Sequence, residues 1–203
     1  MAKPKIVPSN IIKYGDLECV VLDVEQDKVL VITKDCIGNM PLDEGNRNNF
    51  PNGTLCKYLN KEFINKLKIN GADISALVPA TIDLTSDDGL KDYGKTTQKV
   101  FLLTCDMYRK YRSIIPNIND HWWWLATAYT TESNGNANRS RFVYKEGTLS
   151  VGLAWFTHIG VRPAFYIKSS TIKSPSHSLS EFTTEDLLKE VLRRNAKSIE
   201  TER

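Results

Sequence analysis

Residues 121–125 read His121-Trp122-Trp123-Trp124-Leu125, and residues 160–167 read Gly160-Val161-Arg162-Pro163-Ala164-Phe165-Tyr166-Ile167. The first stretch holds three of the four tryptophans in the chain. Side chains alternate across a strand, so three adjacent tryptophans cannot all face the same way. Either Trp122 and Trp124 share a side with Trp123 opposite, or the backbone is irregular there. A tryptophan buries a large apolar area, so at least two of the three are expected in the core, with Trp124 as a structural anchor. A remaining exposed ring would suit stacking on a flat ligand such as a sugar face or a base. The second stretch is an apolar strand interrupted by Arg162. A guanidinium in that setting is expected to be buried and to hold backbone carbonyls or a carboxylate. The functional alternative is an anion anchor for a ligand.

Working outward, residues 139–151 contain Arg141-Phe142-Val143-Tyr144 and Thr148-Leu149-Ser150-Val151 on either side of Glu146-Gly147, a hairpin pattern. Residues 17–24 and 28–33 are β-branched and apolar, separated by Glu25-Gln26-Asp27, and predict an antiparallel hairpin behind a Tyr14-Gly15-Asp16 turn. Residues 35–53 read as a loop. Leu55, Leu59, Phe63 and Leu67 recur every four residues and predict a helix, with Thr54 as N-cap and Asn70-Gly71 as its stop. Residues 77–84 predict a short strand that Pro79 makes an edge or a bulged one. Residues 86–97 read as a polar loop and Val100–Leu103 as a brief strand. Residues 106–115 predict a short helix with Asp106 as cap, ended by Pro116. Periodicity thus gives an α+β chain.

Residues 169–182 change character. Their serines and Pro175 read as a linker. From residue 183 to 203 a capping-box-like start precedes Leu187, Leu188, Val191, Leu192 and Ile199, which mark one apolar face of a C-terminal helix, with Arg194 among the basic residues beside it. That helix would fold back on the main domain, pair with a second copy in a homo-oligomer, or dock on a partner.

Four segments in order resemble one family: Tyr14-Gly15-Asp16 with the strand after it, Leu55…Tyr58-Leu59-Asn60…Phe63, Lys99-Val100-Phe101-Leu102-Leu103, and Trp123-Trp124-Leu125 followed by Gly160-Val161-Arg162-Pro163-Ala164. Together they resemble an uncharacterised bacterial and phage domain family with a Trp-Trp-Leu … Gly-Val-Arg-Pro-Ala signature. The resemblance covers roughly residues 12–168. That family in turn is similar to the C-type-lectin-like fold of formylglycine-generating enzymes and of the variable proteins of diversity-generating retroelements. The resemblance implies a domain over residues 1–168 with a small twisted antiparallel sheet, flanking helices and long loops that make a binding face. It also implies a phage or mobile-element setting. The chain departs from the pattern at Ala126-Thr127-Ala128, where the family usually carries Arg-Ser-Pro.

Net charge is +3, with 27 basic and 24 acidic residues, too small a bias to argue for nucleic acid or an anionic membrane surface. The first ten residues have no apolar core of a secretory signal, and no stretch is long and apolar enough to span a bilayer. The expected location is therefore cytoplasmic, or a virion for a phage-encoded chain. Cys19, Cys36, Cys56 and Cys105 are spread apart with no C-x-x-C pair and read as free thiols, with Cys19, Cys56 and Cys105 expected to be buried. Neither they nor His121, His158 and His177 supply clustered zinc ligands. Asp83, Asp87 and Asp88 read as a solvated acidic loop rather than a calcium site. No cofactor and no metal are expected.

With no catalytic constellation in view, the expectation is a non-catalytic recognition module for a protein or glycan, whose tail helix ties it to a larger assembly. The polar run Ser133–Arg141 suits a recognition loop on a rigid scaffold. Trp122, Tyr129, Asn136, Asn138, Arg139, Arg141, Trp155 and Phe156 are the candidate ligand-binding residues. Two alternatives belong to other classes. One is a structural subunit of a virion or complex. The other is an enzyme related to formylglycine-generating proteins, whose chemistry needs a close thiol pair and copper.

Overall fold

The computed structural model describes residues 6–172. Its main sheet begins with β1 (Ile11–Tyr14), β2 (Leu17–Val24) and β3 (Lys28–Thr33), each antiparallel to the next. Gly15 turns β1 into β2 at φ +64°, and a Cβ there would lie 2.8 Å from the Asn70 carbonyl, so the turn requires glycine on two counts. The β2–β3 hairpin is as the alternating apolar pattern predicts, with a bulge between Val21 and Asp23. β1 is an addition. Its short exposed-buried alternation, with Ile11 and Lys13 outward, gave too weak a signal to read.

The helical segment runs as α1 (Thr54–Tyr58), a π-helical turn (Leu59–Phe63) and α2 (Ile64–Ile69). Leu55, Leu59, Phe63 and Leu67 are all buried, as their spacing requires. Gly53 rather than Thr54 stands at the N-cap, and the Thr54 hydroxyl accepts from the Glu44 amide. The π turn has an identifiable cause. Asn60 donates to the Cys56 carbonyl at 3.1 Å and to the Val100 carbonyl at 2.8 Å, and accepts from the amides of Lys99 and Val100. A side chain inserted into the helical ladder in this way loosens it locally. The helix is thereby tied to the strand that follows.

Pro79 splits the strand expected over residues 77–84. β4 (Leu77–Val78) joins the main sheet, while β5 (Ala80–Asp83) pairs with β6 (Lys95–Gln98) in a separate hairpin. A proline has no N–H for a ladder, so the sheet cannot continue through it. β7 (Val100–Phe101) leads into α3 (Cys105–Tyr111). Thr104, not Asp106, caps α3, its hydroxyl accepting from the Met107 amide. β8 (Trp123–Ala128), β9 (Arg139–Val143) and β10 (Leu149–Leu153) form a second antiparallel sheet in the order β10-β9-β8. Gly147 turns β9 into β10 at φ +83°.

The last strand, β11 (Ala164–Lys168), enters the middle of the main sheet, antiparallel to β3 on one side and to β4 and β7 on the other. It starts at Ala164, later than the apolar run suggested, because residues 159–163 do another task. The Gly160 amide donates to the Trp122 carbonyl and its carbonyl accepts from Trp124, while Ile159 and Val161 bond to Met40, Ile37 and Gly38. This segment stitches the β8 edge to the loop after β3. The result is a mixed α+β architecture of small antiparallel sheets and short helices around one buried apolar cluster. The described residues lie in one compact unit, Lys5–Ile172. The serine-rich linker beyond Ile172 and the expected C-terminal helix, with Leu187, Leu188, Val191, Leu192 and Arg194, lie outside the described residues.

Asp43, fully buried in the loop before α1, holds that loop closed. It accepts from the Arg47 side chain at 2.9 Å, the Arg47 amide at 3.1 Å and the Thr54 amide at 3.1 Å. Burial opposes its ionisation, but these donors outweigh burial and leave the carboxyl below its ordinary range. A lowered folded pKa means the stabilisation is full above the unfolded carboxylate value of about 3.9 and is lost as pH falls below it. Asp43→Asn is expected to cost about 2 kcal/mol at neutral pH. In denaturant melts taken across pH, the gap to wild type should narrow below about pH 4. A constant gap down to pH 2 would contradict this assignment.

Candidate functional site

Arg162 is the centre around which the candidate surface is built. It is fully buried, and its guanidinium donates to three main-chain carbonyls: Thr33 at 2.8 Å, Lys34 at 2.7 Å and Pro116 at 3.0 Å. Its plane lies over the Trp123 ring, 5.2 Å from the centroid. Burial lowers its pKa to about 10, still well above neutral, so the group stays charged. With every contact turned inward, Arg162 organises backbone and is not an anion anchor at the surface. Trp123 and Trp124 are buried beside it, and the Trp124 indole N–H donates to the Met40 carbonyl at 2.9 Å.

Trp122 is different. It is half-buried and heads an aromatic group on the second sheet. Its ring stacks on Tyr144 at 4.4 Å and 28°, lies nearly parallel to Phe142 at 5.6 Å, and meets His158 edge-on at 5.6 Å and 74°. Phe156 extends the group, 5.1 Å from His158. Phe142 and Tyr144 are two residues apart along one chain direction, so alternation puts both on the side that Trp122 covers. Gly152 makes room for the rings, because a Cβ there would come within 3.2 Å of both Phe142 and Phe156. These side chains open a cleft of about 410 Å³, lined by Asp120, Trp122, Tyr144, Lys145 and His158. It has an aromatic wall and a charged rim.

The opposite side of β9 carries a polar cleft of about 440 Å³ lined by Asp87, Asp88, Tyr129, Thr130, Asn134, Asn136 and Arg141. Its charges are already partnered. Arg141 pairs with Asp87, which also takes Arg109 at 3.1 Å, and the Arg141 guanidinium lies 5.0 Å from the Tyr129 centroid. Asp88 accepts from Ser86 and Thr130 hydroxyls, both at 2.5 Å, and those bonds hold its carboxyl below the usual range. Asp83 turns instead to Thr85. The three aspartates therefore do not converge, and among the described residues no group of three or more His, Cys, Asp or Glu is placed to hold a metal.

The candidate residues thus fall into two groups. Trp122 and Phe156 belong to the aromatic side. Tyr129, Asn136 and Arg141 line the polar cleft, and Arg139 shares their side of β9 by alternation. Asn138 stands between loops, its carbonyl accepting from Ala154 and its side-chain oxygen buried without a partner among the described residues. Trp155 is 55% exposed and lines neither cleft.

Several residues of this surface escaped the sequence reading. Asn48 is fully buried and fixes the asparagine-rich loop from below. It donates to the carbonyls of Thr130 and Arg139 at 2.8 Å and accepts from the Tyr93 hydroxyl at 2.6 Å. Nothing in Asn46-Arg47-Asn48-Asn49 distinguishes it from its neighbours. Tyr144 could have been found, since strand alternation places it beside Phe142. Asp120 and Lys145 carry no sequence signal of their own.

The thiols are free and three of the four are buried. Burial pushes Cys36, Cys56 and Cys105 up to about 11 and Cys19 to about 12, so each is protonated at neutral pH. No helix among the described residues is long and apolar enough to cross a membrane.

Comparison with curated proteins gave no match, and comparison with solved structures gave none. A family model described as a domain of unknown function, DUF6273, matches residues 26–107 and 106–169. The match runs from the β2–β3 turn through the Trp-Trp-Leu strand to the end of β11, more than half of the chain, and so the protein belongs to the DUF6273 family.

Proposed function

We propose that the protein is a non-catalytic recognition module of the C-type-lectin-like kind that binds a glycan in the aromatic cleft. The single observation that carries this is the half-buried Trp122 ring set over Tyr144 and Phe142, with Asp120, Lys145 and His158 around the opening. A pyranose offers a flat C–H face for an aromatic wall and a ring of hydroxyls for a polar rim. Asp120 accepts and Lys145 donates, which matches that edge. Aromatic walls with few convergent polar groups are the common form of a small-ligand site. The polar cleft is the weaker candidate, because ligand binding there would have to break the Arg141–Asp87 pair.

Two features support the lectin-like reading. Small antiparallel sheets carry long loops at residues 34–49 and 84–94, and the last strand returns to the centre of the main sheet. The free, protonated thiols argue against formylglycine-type chemistry, which needs a reactive pair.

The test is a glycan array followed by titration of the best binder, read by tryptophan fluorescence. Trp122→Ala and Tyr144→Ala should each weaken binding at least about tenfold, the loss seen for a central aromatic contact. Arg139→Ala, on the other side of β9, should leave it unchanged. No glycan bound by the folded wild type, or Trp122→Ala binding as wild type, would dismiss the reading.

A further inference from the structure

The hairpin of β5 and β6 belongs to neither of the larger sheets. The chain leaves the main sheet after β4 and returns to it at β7, so β5 has a partner on one side only. The register Asp83↔Lys95 continues to Leu84 and Gly94, where the Leu84 amide donates directly to the Gly94 carbonyl. Antiparallel residues alternate between bonded and non-bonded pairs, so Ile82 and Ala80 turn their main-chain groups to β6. Thr81 and Asp83 turn theirs to the free edge. Among the described residues, neither the amide nor the carbonyl of Thr81 or Asp83 has a hydrogen-bond partner.

An edge of this kind is ordinary where it meets bulk water. Here it meets a cavity. A space of about 740 Å³ is lined by all four residues of β5 and by none of β6. Its opposite wall is α3, with Met107, Arg109 and Lys110. The groups left over on β5 say what fits. They are an N–H and a C=O repeated on alternate residues, a pattern that another extended main chain matches and that a sugar or a compact small molecule does not. At about 3.3 Å per residue, β5 gives room for a paired strand of about four residues. Alternate side chains of such a strand enter the cavity, where the half-buried Met107 and Tyr166 offer apolar surface. Charge narrows the choice. Arg109 holds Asp87 and Asp106, and Lys110 holds Asp23. Lys91, exposed on the same lining, makes no ion pair among the described residues, so an acidic side chain on the strand completes the site.

We propose that the groove between β5 and α3 is a docking site for an extended peptide segment of another protein, added as a strand to β5 and carrying an acidic residue for Lys91.

The experiment is selection of a random octapeptide display library on the full chain, followed by titration of the best peptide as a synthetic, end-blocked probe. Selected sequences should carry an acidic residue and no proline in the paired stretch. Methylating the peptide amides one at a time should weaken binding at least about tenfold at every second position and little in between, because only alternate N–H groups face β5. Lys91→Glu should weaken the peptide about tenfold. Thr81→Pro removes an edge N–H that no native bond uses, and should weaken it as much with cooperative unfolding retained. Trp122→Ala should leave it unchanged. No peptide selected by the folded wild type, a methylation scan without the period of two, or undiminished affinity in Lys91→Glu or in folded Thr81→Pro would each overturn the site. Should Thr81→Pro not fold, the scan and Lys91→Glu decide alone. Loss of the peptide in Trp122→Ala would move it to the aromatic cleft. A wild-type dimer that the peptide dissociates would give the groove to a second copy, and overturn its assignment to another protein. Because the glycan test reads Trp122 and this one reads β5, either proposal can fail alone.

Discussion

Arg162→Met is expected to destabilise the protein by about 3–5 kcal/mol, although methionine nearly matches the length of the arginine stem. The loss does not come chiefly from packing volume. The carbonyls of Thr33, Lys34 and Pro116 each accept from this guanidinium, and removing it leaves one buried and two part-buried acceptors without their donor, with an unfilled site beside Trp123. These carbonyls lie at the end of β3 and after α3, elements far apart in sequence, so the substitution unties both at once. Arg162→Lys should recover only a minor part, because one ammonium cannot reproduce a planar fork that reaches three acceptors. Denaturant unfolding followed by tryptophan fluorescence measures both. A midpoint for Arg162→Met as close to wild type as that of an exposed substitution, within about 0.5 kcal/mol, would show that the carbonyls find other donors.

Trp124→Ala should cost about the same, 3–5 kcal/mol by the usual range for large aromatic truncations. The ring is fully buried, sits edge-on to Phe142 at 6.0 Å, and gives its N–H to Met40. Truncation opens a void and orphans a carbonyl in the same step. A domain of ordinary stability, about 5–15 kcal/mol, would be left near its unfolding threshold. Trp122→Ala is the informative comparison. The neighbouring ring is partly solvated and packs against Tyr144, Phe142 and His158 at the cleft, so its loss should be about 1–2 kcal/mol while abolishing the proposed glycan contact. Soluble yield and denaturant midpoints of the two variants should separate cleanly. Equal losses would mean Trp122 is as much a core residue as Trp124, and the aromatic cleft would lose its claim to a ligand. Because the Trp124 amide bonds to Gly160 beside Arg162, the Arg162 and Trp124 effects should not add.

The Trp123-Trp124-Leu125 and Gly160–Ala164 stretches meet at one place in the fold. Gly160 cannot carry a side chain, since a Cβ would lie 2.5 Å from the Cys36 sulfur and 2.8 Å from the Trp122 carbonyl. Arg162 fills its donors with backbone, and Trp123 lies under the guanidinium. The motifs mark one joint where two sheets and a loop meet. Ala126-Thr127-Ala128 falls on a wholly buried stretch of β8, where the Thr127 hydroxyl accepts from the Cys105 amide at 2.8 Å. Here that segment serves the start of α3.

What the sequence determined by itself was local. The four-residue spacing of Leu55, Leu59, Phe63 and Leu67 dictated a helix and its buried side, because helical geometry repeats every 3.6 residues whatever surrounds it. Alternation in residues 17–33 and 139–151 dictated two hairpins, and the tryptophan run pointed to a core holding at least two of its three rings. Tertiary structure alone decided the rest. The insertion of β11 between β3 and β4, the transfer of the chain across Pro79 from one sheet to another, and the bridging by Asn48 and Asn60 join residues far apart in the chain. Such pairings are chosen by which surfaces can be buried together and which polar groups remain to be satisfied, and neither leaves a periodic trace. The same holds for the two sides of β9. Phe142 and Arg141 are neighbours in sequence, but the pleat sends one to the aromatic cleft and the other to Asp87.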